Sequence, residues 1–149
     1  MIPISEIEQV LRRSRWLRGI GPGALAVIAE SAEVELFLAG EAVFLAGEEA
    51  DRLYVVFSGK LSVVIPGIEK PISSLGPGGL AGLQEIQSGT RGSSVVAETD
   101  SELLSIGYPR FRAFLVQNPR AMLSLLETSL GRLERAEALI HRPKSPELP

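Results

Sequence analysis

The 149-residue chain has no cysteine and one histidine. The first absence excludes disulfides, thiolate metal sites and cysteine nucleophiles. The second leaves little for an imidazole metal centre or a Ser-His-Asp triad, because His141 lies far from the strand-rich middle of the chain. At the end of a helix-like segment, His141 reads as a solvent residue beside the negative end of the helix dipole. No apolar run approaches the roughly 18 residues of a membrane span. The first residues, MIPISEIEQ, lack the basic-then-apolar order of a signal peptide. A soluble cytoplasmic protein is the expectation. There is no excess of basic charge either. The formal net charge of -3 argues against a dedicated nucleic-acid or anionic-membrane surface. No G-K-S/T follows a glycine-rich loop, so a phosphate loop of the nucleotide-hydrolase type is absent.

What is present is an ordinary globular balance, 45% apolar and 22% charged, with chain enough for one domain and a real core. Residues 5–18 read as a helix, with Ser5 and Glu8 at capping-box spacing and Ile7, Val10, Leu11 and Leu17 along one face. Trp16 near its end reads as a packing residue. Gly21-Pro22 opens a second short helix to about Ser31. From Val34 the pattern turns to short strands: VELFLAG, AVFLAG, RLYVVFSG and KLSVVI, each closed by glycine or proline. Ala39-Gly40-Glu41 recurs as Ala46-Gly47-Glu48, marking two similar corners. SSVVAET and SELLSIG read as two further strands. Strands at near-regular spacing point to a sandwich or jelly roll rather than βαβ units.

Helix returns at Pro109. PRFRAFLVQN ends at Asn118-Pro119, and a longer helix runs from about Arg120 to His141. Its Met122, Leu126, Ser129, Leu133, Ala136 and Ile140 form a heptad-like seam, widened by Leu130 and others. That seam packs on the barrel, pairs with a second copy, or does both. The proline-rich tail, residues 143–149, is expected to be disordered, which leaves one domain over residues 1–142.

The stretch from Ser58 to Val95 is the most informative. It carries a glycine-rich turn and then Arg91, nine residues after Gly82, followed by Ser93 and Ser94. An arginine beside such a turn is chemistry for one anionic group, typically a phosphate. The competing reading makes Arg91 a surface residue, or a partner of Glu85 or Glu98. Gly76-Pro77-Gly78-Gly79-Leu80-Ala81 formally fits G-x-G-x-x-A, but no βαβ unit surrounds it, so a structural turn is expected. Glu48, Glu49 and Asp51 read as a solvated turn, since calcium-loop spacing is missing.

Two segments, LAGEAVFLAGEEADRLYVVFSGKLSVV and LGPGGLAGLQEIQSGTRGSSVVAETDSELLSI, together resemble the cyclic-nucleotide-binding domain. This is the sensor module of the catabolite activator protein family, of kinase regulatory subunits and of gated channels. The resemblance implies a mainly β fold, a jelly-roll barrel with N-terminal and C-terminal helices. It implies a regulatory sensor, not an enzyme, with cAMP or cGMP as ligand and no other cofactor or metal. It places Gly82 at the cassette glycine, Arg91 at the phosphate arginine, and Ser93 and Ser94 at the small and hydroxyl positions. It further implies a lid or dimer seam at Leu126, Leu130 and Leu133.

The pattern is broken in two places. Leu83 stands where the resemblance puts a ribose-binding glutamate, and the segment before Arg91 is one residue short. Glu85 is the nearest carboxylate. On an α-helix two residues turn a side chain by about 200°, so Glu85 is expected to point elsewhere. A hydrogen bond to a charged partner contributes roughly 1.5–3 kcal/mol, so its loss weakens binding by about 10- to 150-fold. The rival expectation is therefore a degenerate roll that binds no nucleotide and serves protein association or autoinhibition. A metal-dependent cupin enzyme is a distant third. Transcription factors of the family carry a helix-turn-helix after the long helix, and this sequence stops at Pro149. The expectation is action through an effector protein, or a missing effector domain.

Overall fold

The computed structural model describes residues 2–140; His141 and the tail at 143–149 lie outside the described residues. The order is α1 (Ile4–Arg13), a 3-10 turn (Arg15–Leu17), α2 (Pro22–Ser31), eight strands, then α3 (Tyr108–Gln117) and α4 (Pro119–Ile140). The strands are β1 (Glu33–Phe37), β2 (Ala42–Phe44), β3 (Arg52–Ser58), β4 (Leu61–Val64), β5 (Ser73–Leu75), β6 (Leu80–Ala81), β7 (Ser94–Ala97) and β8 (Ser101–Gly107). They form two four-stranded antiparallel sheets, ordered β1-β8-β3-β6 and β2-β7-β4-β5. This is the expected jelly roll flanked by helices.

Alternation along β3 and β8 explains how one sheet serves two cores. Leu53 and Val55 of β3, with Leu104 and Ile106 of β8, pack with α1, α2 and α3 through Leu11, Leu25 and Phe111. The intervening Tyr54, Val56 and Leu103 pack between the sheets against Phe44, Leu61, Val95 and Ala97. A strand with side chains on opposite faces at period two, buried on both, reads as a continuous apolar run.

The capping box is corrected. Helix α1 begins at Ile4, and Pro3 supplies an extended cap with no side-chain bond. The Pro3 carbonyl accepts from the amides of Glu6 and Ile7, so Ser5 is already inside the first turn. The helix also stops at Arg13, before the 3-10 turn that buries Trp16 and Leu17. Strand β6 has no pattern of its own in the sequence, because its two residues are embedded in the 76–82 glycine-rich stretch.

The repeated Ala-Gly-Glu corners share one construction. Glu41 accepts from the Leu38 amide and Glu48 from the Leu45 amide, both at 2.6 Å. Gly40 donates to the Ala97 carbonyl and Gly47 to the Arg91 carbonyl, both at 2.8 Å. In return the amides of Ala97 and Arg91 donate to the carbonyls of Glu41 and Glu48 at 2.9 Å. The second corner therefore fixes the backbone of Arg91 from both sides.

Candidate functional site

Arg91 sits between the 3-10 turn Gln84–Ile86 and β7, and it is 4% exposed. Its Nη2 donates to the Arg52 carbonyl at 2.7 Å. Its Nη1 reaches the Tyr108 hydroxyl at 3.0 Å, and the Gly82 carbonyl and Glu85 Oε1 at 3.3 Å each. The guanidinium lies 4.0 Å from the centroid of the Phe44 ring, a cation-π contact with the roll. Tyr108, the first residue of α3, donates its own hydroxyl to the Gly82 carbonyl. Burial pushes the Tyr108 phenol up, against the opposing pull of Arg91. Arg91 Nε is buried without a partner among the described residues. An arginine has five N–H donors, and this one keeps capacity for a further acceptor.

Gly82 is required here on two counts. Its φ of +86° favours glycine, and a Cβ would lie 2.6 Å from Arg91 Nη1.

A cavity of about 260 Å³ adjoins this cluster. Val63, Ile65, Ile72 and Leu75 give it an apolar wall, while Gly82, Gln84, Glu85 and Ser93 give it a polar one. Its volume falls just below the roughly 300–1,000 Å³ of small-molecule sites, and its apolar wall with few polar groups fits that class. Arg91 stands behind the polar wall, held by Glu85.

Each expected site residue has a definite place. Gly82, Glu85 and Ser93 line the cavity. Ser94 does not. Its neighbour on either side lines the cavity, so at period two it faces away, and its Oγ accepts from the Ala46 amide at 2.9 Å. Leu83 packs against the helical core, with the roll's polar wall left to its neighbours. The expectation that Glu85 points away is overturned. Leu83 faces the helical core rather than the cavity, so Glu85, two residues on and on roughly the opposite side of the turn, is the residue that meets the cavity and Arg91. Glu98 is not the arginine's partner; it bonds Ser62 and pairs with Lys60 at 3.5 Å.

Helix α4 packs on the body through Ala121, Ser124 and Leu125. Leu126, Leu130 and Leu133 are exposed, at 53%, 48% and 53%, and none lines the cavity. Arg132 of α4 does line it. Sequence reasoning missed Arg132, Phe44, Tyr108 and Gln84. A buried tyrosine at a strand-helix junction is the one usable signal among these, since its hydroxyl needs a partner.

Residues 34–118 match the family described as the cyclic nucleotide-binding domain. A CRP-like cAMP-activated global transcriptional regulator of Mycobacterium tuberculosis is 29% identical over 133 residues, which span 87% of this chain and 59% of the regulator. The crystal structure of the Thermus thermophilus catabolite activator protein superposes with a TM-score of 0.79 at 27% identity, covering 85% of this chain and 62% of that one. A regulatory subunit of a cAMP-independent protein kinase A from Trypanosoma brucei shares the fold, with a TM-score of 0.74 at 24% identity over 85% of this chain and 46% of that one. The chain spans about three fifths of the length of the regulator. Among the described residues no helix is long and apolar enough to cross a membrane.

Proposed function

The chain belongs to the cyclic nucleotide-binding domain family, and from that premise we propose that it is a regulatory sensor domain for cAMP or cGMP. The observation that carries the reading is Arg91, buried behind Gly82 and Glu85 next to a cavity of about 260 Å³, with a spare donor at Nε. The cyclic phosphate would approach Gly82, Ser93 and Arg91, a charge-assisted contact of the stronger kind. The base would lie against Val63, Ile65 and Leu75. Glu85 already holds Arg91, so the phosphate must share or displace that carboxylate. The carboxylate thus freed is the one available for a ribose hydroxyl, the role Leu83 cannot serve.

Ligand would act by population shift. Its differential contacts with the cavity wall bias Tyr108, which joins Arg91 to α3, and hence the placement of α3 and α4. Calorimetric titration with cAMP and then cGMP tests this. Saturable binding lost in Arg91→Gln, with the fold retained by circular dichroism, is expected. No heat and no competition at millimolar ligand overturns it.

A second reading is a roll that binds no nucleotide and serves association through α4. The exposed Leu126, Leu130 and Leu133 and the core-facing Leu83 favour it. It requires a dimer that persists without nucleotide. In the first reading an effector domain or partner protein receives the signal; in the second it is what the roll associates with or inhibits.

A further inference from the structure

A second recess, of about 420 Å³, lies between the 76–79 turn and the segment 13–16. It adjoins the cavity, because Leu75, Leu80 and Arg132 wall both. Its charged lining is Arg13, Arg15 and Arg132, with no carboxylate. None of the three forms an ion pair within 4.0 Å among the described residues. Two of these arginines come from the first helix and its following turn and the third from α4, in a chain whose net charge is -3. Arg132 is held in place by Trp16, with Cζ 5.4 Å from the ring centroid over an indole only 8% exposed. Three like charges directed to one recess repel one another, and an anion relieves that repulsion. The amides of Gly78 and Gly79 are already spent on the carbonyls of Val56 and Gly76, so recognition falls to the guanidinium groups. Their planar forks match phosphate oxygens.

We propose that the cavity and this recess form one elongated site, whose ligand is a nucleotide carrying a second phosphate that the recess receives. The inference rests on the cavity being a nucleotide site. Arg91 takes the inner phosphate, and Arg13, Arg15 and Arg132 take the outer one. A single-phosphate cyclic nucleotide fills only the inner half.

The test compares cAMP with cyclic di-AMP on the full chain, by calorimetry and by the emission of Trp16, the one tryptophan. The dinucleotide should bind at least about ten-fold more tightly at low salt, as one added charge-assisted contact implies. That advantage should shrink as salt screens the exposed arginines. Arg13→Gln/Arg15→Gln should abolish the advantage and leave cAMP affinity unchanged, and binding of the dinucleotide should shift Trp16 emission in the parent chain. Equal affinities for the two nucleotides, or an advantage that survives the double variant, overturns the elongated site and leaves the cavity reading standing. Failure of both nucleotides to bind overturns the two together.

Discussion

Arg91→Leu removes a cation that has three neutral acceptors, one carboxylate and one aromatic face around it. Glu85, 8% exposed, is then left as a buried charge without its partner. Breaking a buried pair from one side costs about 3–5 kcal/mol. Against a typical domain stability of about 5–15 kcal/mol that is a large fraction. At roughly 2–4 °C per kcal/mol for a chain of this size, the melting temperature should fall by about 6–20 °C. Glu85→Leu should be similarly harmful, because it leaves the guanidinium uncompensated. The double variant removes both charges and keeps the Tyr108 bond to Gly82, so it should recover much of the loss. A coupling energy on the order of 2–3 kcal/mol is expected. Urea denaturation followed by Trp16 emission gives all four stabilities. Single variants each costing under about 1 kcal/mol, or a double variant as unstable as the two singles combined, would refute the buried-pair account.

Gly82→Ala should displace Arg91, since the new Cβ meets Nη1 at 2.6 Å and φ is +86°; a loss of about 1–3 kcal/mol and weakened nucleotide binding are expected from denaturation and titration. Asp51 titrates below its ordinary 3.8 because Arg52 donates to it. The folded pKa is depressed, so the stability from this pair is present above about pH 4 and lost as pH falls through the folded value. In carboxyl-resolved NMR titrations Arg52→Gln should return Asp51 toward 3.8. Leu133→Glu should leave the melting temperature within about 1 °C, the side chain being 53% exposed. If α4 joins two copies, sedimentation should show monomers in that variant and dimers in the parent.

Much of the roll could be read from residues alone because glycine and proline punctuate its strands, and because paired valines mark β3, β4 and β7. The helical boundaries were legible where Pro22 and Pro109 sit at the first turn. Three features were not legible. Strand β6 is too short to show a period. The facing of Glu85 depends on Leu83 finding the helical core, a tertiary preference that sets which side of the turn meets the cavity and that spacing alone does not give. The widest apolar stripe of α4 does not mark its body-facing side, which is the narrow Ala121, Ser124 and Leu125 face, where small residues allow close approach. Arg132 lies seven residues, about two turns, beyond Leu125 on that same narrow side, with only its charge to mark it. Phe44 and Tyr108 meet Arg91 from distant elements, so no local spacing announces them.

The paired Ala-Gly-Glu corners give this protein an internal reference. Glu41 and Glu48 perform matched bonds on matched backbones, yet one corner holds Ala97 and the other holds Arg91. Whatever a corner contributes to folding is present twice, while whatever it contributes to the aim of the arginine is present once. The flanks of the two clasps differ, with Ala39 donating to Asp100 and Ala46 to Ser94, so disturbing one and then the other compares a clasp that only stands with a clasp that also aims.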